Sequence, residues 1–396
     1  MKSFASSKES LEFMKNSFGD YYEKIKIELP NRFTKREFAF IFFGGKGMFR
    51  HVSFGKKNDF AEFVKDRHPA HAYYSSAFYQ TPDAPTMQEK NWMGAELIFD
   101  LDSDHLPGSE NMSYSESLDK VKDEFIKLVN DFLLNDFGFD ENNIELYFSG
   151  GRGYHCHVID KKIFGIGSNE RREIVDYITG RDLKDSLVFQ EPFTGRKSYG
   201  RHSYPSGKTL KMPKPDAPGW KGRISRGVIE IVNEIKKSDD PIKKLQEYGV
   251  RKFDAEILLK DLSDDRVQRI KDGLLDQSKT IRRFFLNNAL RRTAVLMSAG
   301  ETDEPVTCDV KRLIRLPYSL HGKTGFKVTK ISLDGLKDFN PLIDSVVVSD
   351  DPVKISLNQP FKINIKDTKY SLKEGEEEVP SFLAVFLIGR KIANII

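Results

Sequence analysis

Apolar residues recur along this chain with two different periods, and the change of period divides it. From about Ser7 to Ile27 the positions Leu11, Phe13, Met14, Phe18, Tyr22 and Ile25 fall at helical spacing, which predicts an opening amphipathic helix. Residues 36–43 and 48–54 are rich in aromatic and β-branched side chains and flank Gly44-Gly45-Lys46-Gly47, the signature of a hairpin. A third strand is expected over Ala95 to Asp102 and a helix over Ser115 to Leu134. Strands at Ile144 to Ser149 and Tyr154 to Ile159 then follow, joined by Gly150-Gly151-Arg152-Gly153.

From about Asn169 to Gly300 helical periodicity dominates, in Val228 to Ile235, Ala255 to Leu262 and Val267 through Met297. Ser263 suits an N-cap and Gly300 a C-cap. Ser203 to Arg223, with four prolines and three glycines among lysines, reads as a loop. Strand character returns at Phe326 to Ile331, Ser345 to Val348 and Phe361 to Ile365, and Phe382 to Ile395 predicts a closing helix. The expected architecture is α/β of the α+β kind. A mixed-sheet core is built from residues 1–168 and 301–396, and a mainly helical subdomain, 169–300, is inserted between them.

The composition admits such a core: 396 residues, 39% hydrophobic and 12% aromatic. Charges nearly cancel at +4, so any polyanion site must be argued from local clusters. Two cysteines, Cys156 and Cys308, cannot make a disulfide framework or a four-thiolate metal site. The amino end lacks an apolar signal core, and the longest apolar run, Phe382 to Ile388, is far short of a membrane span. A cytoplasmic protein is expected, nuclear if eukaryotic, with no membrane partner.

Three segments carry chemistry. In Glu96-Leu97-Ile98-Phe99-Asp100-Leu101-Asp102 the strand period puts Asp100 and Asp102 on one face, opposite Leu97, Phe99 and Leu101. Neighbouring carboxylates repel unless a cation lies between them, which suits Mg²⁺ or Mn²⁺ and phosphoryl transfer, although a solvated strand edge has the same pattern. In Ser149-Gly150-Gly151-Arg152-Gly153-Tyr154-His155 the glycines let backbone amides approach phosphate while Arg152 and His155 add donors; an ordinary glycine-rich hairpin is the alternative. The third segment has Asp309 upstream of Arg312, Arg315, His321, Lys323 and Lys327, alternating with Leu313, Leu316 and Leu320. That density of cations suits a triphosphate. Gly322-Lys323-Thr324 is not a Walker A loop, because Pro317 stands where that motif needs glycine.

In this order and at these separations, the segments resemble the small catalytic subunit of archaeal and eukaryotic DNA primases, in the primase-polymerase superfamily. The likeness runs almost end to end, from Arg36-Glu37-Phe38 and Met48 to Phe54, through Phe99 to Asp102 and Ser149 to His155, to Asp309 to Arg315 and Ser319 to Gly325. The resemblance implies that Asp100, Asp102 and Asp309 are metal ligands in two-metal nucleotidyl transfer. It implies that Arg152, His155, Arg315 and His321 hold the incoming triphosphate, that Ser149 shapes its pocket, and that Lys323 and Arg50 are weaker contributors. It also implies synthesis of short RNA, or DNA, primers on a single-stranded DNA template from nucleoside triphosphates. The expected partner is an iron–sulfur-containing large subunit, forming a heterodimer; this chain has too few cysteines to hold such a cluster itself. Two departures stand out. Ser103 to Lys120 holds only His105 and no cysteine, so no zinc is expected, and Gly151 stands where the eukaryotic pattern has arginine. Repair primase-polymerases, metal-dependent nucleases and non-catalytic nucleic-acid-binding modules are the competing classes.

Overall fold

The computed structural model describes residues 7–105, 112–181, 183–184, 188–275, 283–285 and 303–396. The chain opens with α1 (Lys8–Lys24), whose amino end is capped by Ser7, as the apolar spacing predicts. There follow β1 (Phe38–Ile41), β2 (Met48–Val52), α2 (Lys57–Arg67), β3 (His71–Ser75), β4 (Ala77–Tyr79), β5 (Trp92–Ala95) and β6 (Leu97–Asp102). Next come α3 (Tyr114–Lys127), capped by a Ser113–Glu116 capping box and prolonged by a π-helical stretch, Leu128–Asp136. Strands β7 (Ile144–Phe148) and β8 (Gly153–Val158) precede α4 (Ser168–Thr179).

The middle of the chain contains β9 (Phe193–Tyr199), β10 (His202–Lys208), β11 (Leu210–Lys211), α5 (Gly219–Lys237), α6 (Pro241–Glu247), α7 (Lys252–Asp261), α8 (Asp264–Lys271) and β12 (Leu274–Leu275). The last part holds α9 (Glu304–Cys308), β13 (Leu313–Arg315), β14 (Thr329–Ile331), α10 (Pro341–Asp344), β15 (Pro352–Leu357), β16 (Phe361–Ile365), β17 (Thr368–Leu372), β18 (Gly375–Pro380), α11 (Ser381–Gly389) and β19 (Ala393–Ile395). Two compact units result, Met1–Val175 with Gly300–Ile396, and Asp176–Ala299. The class is α+β, and every described strand pairing is antiparallel.

In the first unit, one four-stranded sheet has the order β14-β7-β8-β6 and another β13-β3-β1-β2. Helix α3 packs on β6 and β8, and α9 packs on β6. Helix α11 is apolar on all sides and wholly buried, lying against α1 and the strands β15, β18 and β19. The phenols of α1 fasten it to a distant loop: Tyr21 Oη donates to the Tyr318 carbonyl at 2.7 Å, and Tyr22 Oη accepts the Leu320 N–H at 3.1 Å.

Four expectations are corrected. The supposed loop Ser203 to Arg223 contains β10, β11 and the start of α5, because Pro205 sits in a ribbon that among the described residues is two-stranded and asks it for no further ladder bond, while Pro213, Pro215 and Pro218 lie between β11 and α5. The helix expected from Val267 through Met297 is interrupted: α8 ends at Lys271 and Gly273 takes φ +82° before β12, while the rest of that span beyond Leu275, apart from residues 283–285, lies outside the described residues, as does the expected C-cap Gly300. Ser345 to Val348 is a turn and bend rather than a strand, with the strand beginning at Pro352. The closing helix ends at Gly389, and after Lys391 at φ +65° the chain returns as β19 to pair with β15.

Candidate active site

Strand β6 runs against β8 with Asp100 opposite His155 and Asp102 opposite Gly153. Leu97, Phe99 and Leu101 are fully buried, whereas the Asp100 and Asp102 carboxylates are partly open. The β7–β8 turn is shaped by Ser149, whose hydroxyl accepts the N–H groups of Gly151 at 3.2 Å and Gly153 at 3.3 Å. Two of its glycines are obligatory. Gly150 has φ +75° and would set a Cβ 2.8 Å from that of His321; a Cβ on Gly153 would meet the Leu101 carbonyl oxygen at 2.1 Å.

The Asp100 carboxyl is pushed up to about 7, first by burial and then by the charges of Asp102 and Asp303. Asp303 comes from the amino end of α9, where its N–H donates to the Asp100 carbonyl at 3.0 Å and its own side chain makes no capping hydrogen bond. Here the structure departs from the expected trio. Asp309, at the other end of α9, is exposed, accepts the Lys311 N–H at 2.8 Å, and bears on Tyr79 alongside Glu37 and Arg50. Asp303 is thus a further carboxylate whose charge acts on Asp100, while the charge of Asp309 acts on Tyr79. Arg171 helps fix that approach: buried, it donates to the carbonyls of Ala95 (3.1 Å), Glu96 (2.9 Å) and Thr307 (3.5 Å), tying the start of β6 to α9. Neither Asp303 nor Arg171 belongs to a local pattern, though an Asp just before Glu-Pro is a helix-start signal.

Cationic and imidazole groups stand around the acids. His155 places Nε2 3.4 Å from Asp100 Oδ1, while its buried Nδ1 has no hydrogen-bond partner among the described residues. Burial first, then His157, Arg315 and Arg312, hold His155 well below the usual histidine range. His321 is depressed likewise, by burial, Arg315 and His71. His71 on β3, which no sequence pattern singles out, packs edge-on against the His321 ring at 4.9 Å between centroids and contacts Arg315 Nη1 through Nδ1 at 2.6 Å. The Lys323 side chain is exposed, and its charge also acts on His71 and His321. The β7–β8 turn with His155 and the loop with His321 thus meet, bringing Ser149, Arg152, His155, Arg315 and His321 into one neighbourhood. Arg50 is engaged elsewhere, paired at 3.1 Å with the buried Glu37, which Lys90 also contacts at 3.0 Å.

Behind the acids lies a buried polar layer. Glu96 forms an ion pair with the fully buried Arg36 and approaches His157 Nδ1 at 3.7 Å, and His157 also contacts Tyr74 Oη at 3.0 Å. Although burial opposes it, Arg36 and His157 hold the Glu96 carboxyl below its usual range.

The donor set suits a hard divalent cation. Among the described residues no three His, Cys, Asp or Glu side chains already converge as a closed ligand set. What is present is a carboxylate pair faced by a third acid, with the Arg152 guanidinium lying against Asp104 and 3.8 Å from Asp102. Positive charge is therefore already drawn to this cluster, and carboxylate oxygens without a thiolate among them fit Mg²⁺ or Mn²⁺.

Comparison with known proteins identifies the family of the chain. Residues 99–332 match the family described as DNA primase small subunit. The chain is 40% identical to the DNA primase small subunit PriS of Methanocella arvoryzae, covering 96% of this chain and 98% of that protein. It is also 40% identical to the same-named protein of Methanothrix thermoacetophila (97% and 98% covered) and 38% identical to that of Picrophilus torridus (96% and 97% covered). The chain belongs to the DNA primase small subunit family.

Proposed function

We propose that the protein is the catalytic subunit of a primase, which joins nucleoside triphosphates on a single-stranded DNA template to begin short RNA, or DNA, chains. The observation that carries this is the Asp100–Asp102 pair on one face of β6, set against β8 with His155 Nε2 3.4 Å from Asp100 and Arg152 3.8 Å from Asp102. Asp100, Asp102 and Asp303 would hold Mg²⁺ or Mn²⁺, which supplies charge neutralisation at the transferring phosphoryl group. Arg315 and Arg312 orient the triphosphate electrostatically, and the Ser149 turn gives it a rigid floor beside His321. His155 and His321, whose charged forms are disfavoured by burial and by nearby cations, offer ring N–H groups as hydrogen-bond donors to the polyanion. The family's subunit name supports a large-subunit partner, which would contribute the iron–sulfur cluster.

Dinucleotide synthesis on single-stranded DNA is the test. Asp303→Ala should abolish it as completely as Asp100→Ala, while Asp309→Ala retains it within about threefold. Full synthesis by folded Asp303→Ala, with loss in Asp309→Ala, would overturn the trio. Release of labelled fragments from DNA without nucleotides would favour a nuclease instead.

A further inference from the structure

The chain carries an exposed basic and aromatic ribbon that the proposed active site does not use. In the Asp176–Ala299 unit, β9 and β10 pair with Tyr199 opposite His202 and Lys197 opposite Tyr204. Every residue from Phe193 to Pro205 is exposed, so neither face of the ribbon is core. Side chains alternate along a strand and cross-strand partners share a face. Phe193, Lys197, Tyr199, His202 and Tyr204 consequently lie on one side. Phe193, Tyr199 and Tyr204 are 57%, 69% and 56% exposed, an arrangement that burial cannot explain. The His202 and Tyr204 rings stand 6.4 Å apart, in keeping with the shared face. Arg196 projects from the opposite side, and Arg201 lies in the turn.

Charge here is one-sided although the chain as a whole nearly balances at +4. Between Glu191 and Asp216 there are six cations (Arg196, Lys197, Arg201, Lys208, Lys211 and Lys214) and no acid. A surface made to dock an apolar protein face would not interleave its rings with so many cations. Flat rings flanked by cations match a strand that offers a base and a phosphate at each step. Only unpaired bases present their flat faces to such rings.

We propose that the β9–β10 ribbon is a binding platform for single-stranded nucleic acid, with Tyr199, His202 and Tyr204 stacking on bases and Lys197 and Arg201 meeting phosphates. Its biological use rests on the primase reading, but the binding can be measured without catalysis.

Fluorescence anisotropy of a labelled oligothymidylate of about 20 nucleotides, with the full chain, a chelator and no nucleotides, tests this across a range of salt. The variant Tyr199→Ala/Tyr204→Ala should weaken binding roughly 5- to 150-fold for each stacking ring it removes, with the salt slope unchanged. Lys197→Gln/Arg201→Gln should lower the salt slope by about 0.7 for each phosphate no longer neutralised. A duplex of the same length should respond less to the tyrosine variant. Circular dichroism confirms folding. Wild-type affinity and slope in both folded variants would overturn the platform, as would equal effects on duplex, or impaired association with a protein partner while oligonucleotide binding is untouched. Asp100→Ala separates the two readings: it should bind the oligonucleotide as wild type does while synthesising nothing. Normal synthesis by it would remove the catalytic assignment and leave the ribbon standing.

Discussion

Asp100 is costly to the protein that carries it. Its carboxyl sits at about 7 in the folded chain against an ordinary 3.8, so between those values the folded chain holds a proton that the unfolded chain has released. The stability this proton confers declines as pH rises through the interval and is gone above about 7. Asp100→Asn should therefore stabilise the metal-free protein at neutral pH by on the order of 1–3 kcal/mol while cutting synthesis about a thousandfold, as read by thermal melting and primer assay. A divalent cation competes with the same proton. The rise in melting temperature it gives should be small near about pH 5 and larger near about pH 8, and a rise independent of pH would contradict the assigned ligands. Asp100 and Asp102 were legible because a period of two exposes a pair directly. Asp303 was not, because its nearness to Asp100 depends on α9 folding back onto β6, whereas Asp309 was singled out by its place ahead of a basic run and by the family resemblance.

Individual elements are held in register by groups that do no chemistry. The Arg36–Glu96 pair beneath β6 is buried on both sides, so Glu96→Gln leaves a guanidinium without its counter-charge and should cost roughly 3–5 kcal/mol, measured by denaturant unfolding. Replacing both residues with apolar ones should cost less than that single change. At the β7–β8 turn, Gly150→Ala places a methyl against His321 in a left-handed backbone and should cost roughly 1–3 kcal/mol together with most activity. Strands β1, β2, β6, β7 and β8 were readable from their alternation and glycine turns. The ribbon β9–β10 was not, because Pro205 and three glycines give it the composition of a loop and every residue from Phe193 to Pro205 is exposed, so no hydrophobic period records it.

At the scale of the molecule, Met1–Val175 with Gly300–Ile396 and Asp176–Ala299 each keep their own interior. Calorimetry should resolve two transitions, of which a divalent cation raises only the one belonging to the unit with Asp100, Asp102 and Asp303. A single transition moved as a whole would show the two to be energetically inseparable. The α+β class was legible because strand periods return after the helical middle, whereas the three-dimensional neighbours of His321 could not be read from any one segment. Among those neighbours is the opening helix. Through Tyr22 the backbone beside His321 hangs on α1, some three hundred positions away in the chain. A change that displaces the first helix would therefore also strain the loop that carries Leu320 and His321, so the two ends of the chain are mechanically joined at this point.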